Sequence, residues 1–219
     1  MTRKIFESDL EELHSELLRM GSMAEKQIYD CMEALEKQDE NMAEVIIKKD
    51  DIIDDMQKEI ENKVIRLIAM QQPIVAEDLR NIFTTVKIVT DLERLGDHAV
   101  DIAKAIKRLN GEKHHDIVKE IWNMGNKVKS MIKDSLDAYV ERNLDKAYEV
   151  CKRDDDVDSL YKRIFNELLN IMSEDKSKVN QLTQFLFVCK YLERIGDRTT
   201  NVCESTIYLI TGKQVDLND

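Results

Sequence analysis

Asp91-Leu92-Glu93-Arg94-Leu95-Gly96-Asp97-His98 occurs again as Tyr191-Leu192-Glu193-Arg194-Ile195-Gly196-Asp197-Arg198. Both copies read Leu-Glu-Arg-(Leu/Ile)-Gly-Asp, one hundred residues apart. A near-identity of this length within one chain marks an internal repeat. Each copy sets a Glu and an Asp at i and i+4, the spacing that puts two carboxylates on one helix face.

The duplication extends outward from the motif. At a shift of 104, Met20-Gly21 meets Met124-Gly125, and Lys48-Lys49-Asp50-Asp51 meets Lys152-Arg153-Asp154-Asp155. Ile53, Met56, Ile60, Val64 and Leu67 meet Val157, Leu160, Ile164, Leu168 and Ile171. Apolar residues recur at three- and four-residue steps, the helical period. In the first copy, Leu10, Leu13, Leu17, Met20, Ala24, Ile28, Cys31 and Leu35 predict a helix over 6–37. Gln38-Asp39-Glu40-Asn41 is a break rich in capping residues. A second helix runs to about Met70 and stops at Gln71-Gln72-Pro73, because the residue before proline avoids the α region. A third spans about Ile74–Leu109, with Asn110-Gly111 as its stop. The second copy repeats this with a loop near Ser173-Glu174-Asp175. The fold class is all-α: six long antiparallel helices in two tandem, pseudo-symmetric three-helix bundles, 1–111 and 112–219. One six-helix bundle with a pseudo-twofold axis is the alternative arrangement.

One proline and six glycines leave little for a turn-rich β architecture. The net charge of -11 argues against nucleic acid, whose phosphates need basic stripes. No apolar run reaches a membrane span, and the N-terminal residues turn acidic without a signal-peptide core, so the expectation is a cytoplasmic protein with no direct membrane insertion. Cys31, Cys151, Cys189 and Cys203 form no C-x-x-C pair; the last three align with Ile47, Val89 and Ala103, which are apolar or small slots.

If the second and third helices fold back at Pro73, Asp54 lies level with Glu93, and Asp50 with Asp97. Around the second turn Asp158 lies level with Glu193, and Asp154 with Asp197. Neighbouring helix axes are about 8–10 Å apart, a gap that side chains from both can bridge. Each repeat is therefore expected to gather four carboxylates. At 100° per residue Glu93, Asp97 and Asp101 form a stripe away from Leu92, Leu95, Ala99, Ile102 and Ile106, which puts the acids at the outer edge of the seam. Asp51 and Asp55 point further out, and Asp55 becomes Ser159 in the second copy. Four carboxylates repel unless cations neutralise them. All-oxygen ligands suit Mg²⁺, Ca²⁺, Mn²⁺ or Fe³⁺, and zinc accepts them too. The plain alternative is a solvated acidic face neutralised by Arg94, Arg194 or Arg198. Gly96 and Gly196, each beside an acid, cost about 1 kcal/mol relative to alanine and imply a need for space. Gly21 and Gly125 read as close helix packing.

Weaker signals surround this. Glu11 and His14 form a lone Glu-x-x-His, without the second pair a di-iron bundle needs. His114-His115 falls in a linker. Asp30 and Asp134 match between copies but face away from the core stripe. Nothing resembles a nucleophile–base pair, a phosphate-cradling glycine loop or a cofactor box, so no catalytic residue and no organic cofactor are assigned.

Tandem three-helix units with Asp-x-x-x-Asp on the middle helix and Leu-Glu-Arg-(Leu/Ile)-Gly-Asp on the third resemble the PhoU family over essentially the whole chain. The family's Glu/Asp-x-x-x-Asp motif falls on Glu93/Asp97 and Glu193/Asp197, its companion acids on Asp50/Asp54 and Asp154/Asp158. Asp101 in the first copy is Asn201 in the second, so these outer positions would give two sites of unequal charge. The resemblance implies a cytoplasmic negative regulator of phosphate uptake and of the phosphate regulon. It implies an adaptor between the ATPase subunit of the phosphate ABC transporter and a sensor histidine kinase, homodimeric, with iron, zinc or magnesium in multinuclear sites. A carboxylate-bridged metalloenzyme and a purely structural acidic interaction module are the alternatives.

Overall fold

The structure, a computed structural model, describes residues 3–109 and 117–218, and of Asp50 the backbone alone. Its helices are α1 (Arg3–Lys37), α2 (Glu40–Lys48), α3 (Asp50–Met70), α4 (Ala76–Lys107), α5 (Val118–Glu141), α6 (Leu144–Glu174) and α7 (Val179–Thr211), with a 3-10 turn at Lys176–Lys178 before α7. No strand occurs among the described residues, and the protein is all-α. The Asn110-Gly111 stop, the 111/112 boundary and His114-His115 lie outside the described residues.

The connections obey the duplication. Gln38 and Arg142, matched at the shift of 104, both take positive φ (55° and 49°) and end α1 and α5. The residue after each is a cap: Asp39 accepts from the Met42 N–H at 3.0 Å, and Asn143 from the Lys146 N–H at 3.1 Å. Each satisfies a donor that the first helical turn leaves open. The copies part at Lys49. There the second helix of the first repeat breaks into α2 and α3, whereas α6 runs unbroken through the matching Arg153. Arg153 is fastened to α5, donating to Asp134 at 2.7 Å and Ser130 at 3.2 Å. Lys49 is exposed.

The stripes read from the sequence are buried. Leu13, Leu17, Met20, Ala24, Ile28 and Leu35 of α1 meet Ile53, Ile60, Val64 and Leu67 of α3 and the inner face of α4. Val157, Leu160, Ile164 and Leu168 do the same in the second copy, while Ile171 is only partly covered. All four cysteines are buried and free; Cys31 Sγ donates to the Ala99 carbonyl at 3.0 Å.

The two repeats pack on each other along α4–α7 and α1–α5. Both seams are reciprocal. A β-carbon on Gly21 would come 2.8 Å from Leu136 Cδ1, and one on Gly125 would come 2.7 Å from Met32 Cε. Met32 and Leu136 are themselves a repeat pair. In the other seam His98 stacks on Tyr191, with ring centroids 5.9 Å apart, and Arg198 reaches Asp91 at 3.3 Å. Contacts that exchange in this way are the mark of a twofold interface, here within one chain. One contiguous apolar cluster runs through both repeats. Gly21 and Gly125 are close-packing positions.

Candidate metal centre

The fold-back at Pro73 brings α3 alongside α4. Ligand-capable oxygens of Asp54, Glu93 and Asp97 lie within 4.8 Å of one another. All three residues are partly buried, at the rim of the apolar seam formed by Ile53, Leu92 and Leu95. Arg94, half-exposed, closes the outer side: its Nη1 lies 2.8 Å from Asp97 Oδ2 and its Nε 3.4 Å from Glu93 Oε2. The side chain of Asp50 is outside the described residues. Asp101, one turn beyond Asp97, lies 3.5 Å from Lys104 Nζ.

The second copy arranges the same residue types differently. Asp154 on α6 turns inward: its Oδ2 accepts from Thr200 Oγ1 at 3.3 Å, and its Oδ1 is buried with no hydrogen-bond partner among the described residues. Burial, then Asp197 and Asp158, push the Asp154 carboxyl up to about 7, against the Thr200 hydrogen bond. Burial, then Glu193 and Asp158, raise Asp197, with Lys190 and Arg198 opposing. The carboxylates thus sense each other, but cations draw two of them aside. Lys190 Nζ holds Glu193 at 2.6 and 2.8 Å, and Lys162 lies 3.6 Å from Asp158. Among the described residues only the first repeat gathers three ligand atoms so closely. Asn201 is engaged elsewhere, donating to Asp91 at 3.3 Å and accepting from Asn218 at 2.8 Å.

The two motif glycines answer the need for space separately. A β-carbon at Gly196 would run into Asp154 Oδ1, whereas one at Gly96 would meet Ile53 Cδ1 at 3.2 Å and Gln27 Oε1 at 3.4 Å. Asp30 pairs with Lys26 and Asp134 with Arg153, away from these acids. His14 packs at a tilt against Tyr139, 5.1 Å between centroids, and takes no part in a ligand cluster with Glu11 among the described residues.

Three participants were not singled out from the sequence. Thr200 orients Asp154, Lys190 holds Glu193, and Asp91, buried on α4, binds Arg198 and Asn201. The repeat contained a signal for two of them. Position 90/190 is Thr in one copy and Lys in the other, and position 91/191 is Asp and Tyr.

The donor set is carboxylate oxygen throughout, the chemistry of hard cations. A buried carboxylate oxygen without a donor in the second copy and three converging acids in the first both fit a bound cation.

The family model described as PhoU domain matches the chain twice, over residues 17–106 and 121–206. The chain is 40% identical to the phosphate-specific transport system accessory protein PhoU homolog of Caulobacter vibrioides, over 98% of this chain and 93% of that one. It is 35% identical to the protein of that name in Streptococcus pneumoniae serotype 4, over 99% and 100%. Among solved structures it is similar to the phosphate transport system regulatory protein PhoU from Streptococcus pneumoniae, with a TM-score of 0.90 at 33% identity over 96% of this chain and 99% of that one. It is similar also to PhoU from Pseudomonas aeruginosa, with a TM-score of 0.91 at 35% identity over 95% and 100%.

Proposed function

Because the chain belongs to the PhoU family, we propose that it is a regulatory accessory of a phosphate-specific transport system, acting as a negative regulator of phosphate uptake and of phosphate-starvation genes. The observation that carries this reading is the double match of the PhoU domain, one over each repeat, within a similarity that spans nearly the whole chain. In this reading the protein is an adaptor joining the transporter's ATPase subunit to a sensor histidine kinase, acts as a homodimer and works in the cytoplasm. Among the described residues no helix is long and apolar enough to cross a membrane, which is compatible with that place.

Metal belongs to the same proposal. Asp54, Glu93 and Asp97, with Asp50, would hold it in the first repeat; Asp154, Asp158, Glu193 and Asp197 would hold it in the second. Iron, zinc or magnesium would supply positive charge that offsets the carboxylate repulsion. The ligands come from α3 and α4, or from α6 and α7, so a loaded site ties each fold-back together. The hydrolytic alternative asks for a general acid or base beside the carboxylates. The neighbouring groups Arg94, Lys190 and Thr200 pair charge and donate hydrogen bonds, and Asp154, whose carboxyl is raised to about 7, serves in this reading as a metal ligand.

The test is deletion of the gene with measurement of phosphate-starvation gene expression in phosphate-replete medium. Expression is expected to rise and to fall back on complementation. Unchanged expression would count against the regulatory reading.

A further inference from the structure

Between α4, α7 and the chain's C-terminal tail lies an open cavity of about 340 Å³. Its walls carry Lys190, Arg194, Arg198 and His98, with Asn201 and Asn218 at the rim and Asp197 as the acid in the lining. The tail makes part of the wall. The Leu217 N–H donates to Glu204 Oε1 at 2.7 Å, and Asn218 Nδ2 donates to the Asp197 carbonyl at 3.3 Å and to Asn201 Oδ1 at 2.8 Å. A donor-rich cavity is unusual in a chain of net charge -11.

The cations are not equally committed. Lys190 is held by Glu193, and Arg198 by Asp91. Arg194 is exposed and forms no ion pair or hydrogen bond among the described residues. Its repeat partner Arg94 is bound to Asp97 and Glu93. Position 90/190 accounts for the Glu side of this difference. Thr90 spends its hydroxyl on the Val86 carbonyl and Arg94 lies 3.4 Å from Glu93, whereas Lys190 takes Glu193 at 2.6 and 2.8 Å. One more difference between the copies acts in the same direction: Asp101 becomes Asn201. Both make this corner more positive than its repeat-related counterpart, whereas His98 and Arg198 face each other across the seam and count equally in each. Neither the fold nor the acidic motif, which both copies share, requires that. From the facing helix, His98 contributes Nδ1, a buried nitrogen with no hydrogen-bond partner among the described residues.

We propose that this cavity binds a small tetrahedral oxyanion of the phosphate type, with Arg194 as its principal ligand and Lys190, Arg198 and the His98 ring as secondary donors. Guanidinium and ammonium groups recognise such anions through charge-assisted hydrogen bonds. The volume admits inorganic phosphate with water, or the phosphoryl group of a small ester. The inference stands on the cavity and the repeat asymmetry, apart from the regulatory reading above.

The test is isothermal titration calorimetry on the full chain at fixed ionic strength, after EDTA treatment so that anion binding to a metal is removed. Inorganic phosphate and glycerol phosphate are the two probes. Saturable binding of inorganic phosphate identifies the free anion as ligand; saturation by glycerol phosphate alone identifies an esterified phosphoryl group. Arg194→Gln, with unchanged circular dichroism, is expected to weaken binding by about tenfold, the scale of one charged hydrogen bond. Lys190→Thr restores the first-copy arrangement and is expected to weaken it several-fold. Arg66→Gln, on the exposed face of α3, is expected to leave it unchanged. Absence of saturation by either probe at millimolar concentration overturns the proposal, as does an affinity that Arg194→Gln does not alter.

Discussion

Asp154 Oδ1 lies in the space that a β-carbon at residue 196 would occupy, so the glycine of the second motif seats a carboxylate from the neighbouring helix. The same glycine in the first motif faces Ile53 and Gln27. Glycine here costs helix stability and gains a buried acid, an exchange that favours a site over a scaffold. The repeated Gly-Asp pair therefore serves two local arrangements.

Gly196→Ala separates the two effects. Alanine adds about 1 kcal/mol of helix propensity. Expelling the carboxylate loses the Thr200 hydrogen bond, worth about 1 kcal/mol. Near pH 4, where the folded-state carboxyl is protonated, net stability is expected to change by less than about 1 kcal/mol; above about pH 7 relief of carboxylate burial adds to the variant's stability. The Asp154 carboxyl, freed from burial, is expected to titrate well below its value of about 7. Carbon-detected NMR titration of metal-free protein reads this directly, and an unmoved midpoint would show that the carboxylate does not depend on the glycine.

The same carboxyl makes stability depend on pH. Burial first, then Asp197 and Asp158, raise it from 3.8 to about 7 in the folded chain. Between those values the folded chain keeps a proton that the unfolded chain has released. Unfolding there sheds a proton, so stability falls as pH rises through the window and levels off above about 7. Asp197, also raised, acts in the same direction. Asp154→Asn keeps an acceptor for Thr200 and removes the charge. At pH 8 in EDTA it is expected to be more stable than wild type by about 1–2 kcal/mol, a figure reduced for the group's partial exposure, with the gain shrinking toward pH 4. Urea denaturation at both pH values checks the sign.

The fold was largely legible because helical period, capping residues and the internal repeat agree. Asp39 caps at the polar break of the first copy, Asn143 caps at the position 104 residues on, and Pro73 marks the fold-back. The break at Lys49 was not legible, because what distinguishes it is the grip of Arg153 on Asp134 in the other copy, a tertiary contact. At the candidate site, spacing and register locate Asp54 beside Glu93, but they do not say which cations compete for the acids. That Lys190 and Lys162 draw Glu193 and Asp158 aside, while Arg94 bridges Glu93 and Asp97, depends on rotamers that no linear pattern encodes.

The α4–α7 seam offers a sharper test of the twofold packing. Asp91 is buried, and burial raises its carboxyl against the hydrogen bonds from Asn201 and Arg198. Arg198→Gln leaves a buried acid with one donor fewer and is expected to cost about 1–3 kcal/mol. For a chain of this size that is roughly 2–4 °C in Tm per kcal/mol. Asp91→Asn removes the charge that Arg198 neutralises. In the double variant the losses are expected to fall short of additive by about 1–2 kcal/mol, the signature of a direct pair. Strict additivity in thermal or urea unfolding would show that the two residues do not interact in solution.

Replacing Glu93 and Asp97 together, as Glu93→Gln with Asp97→Asn, removes two of the three oxygen donors gathered in the first repeat and leaves the second untouched. In protein purified without chelator, elemental analysis is expected to show metal content falling by about half if both repeats load equally. Removal of the like charges has the opposite effect on the metal-free chain. An i, i+4 acid pair costs about 0.2–0.5 kcal/mol and Asp54 adds to the repulsion, while Arg94 loses an exposed partnership worth little. In EDTA the double variant is therefore expected to be as stable as wild type or slightly more so, whereas with metal present wild type gains and the variant gains less. A crossing of the two stability orders on adding metal distinguishes a ligand cluster from a solvated acidic face. The face predicts the same order in both conditions and an unchanged ratio of metal to protein.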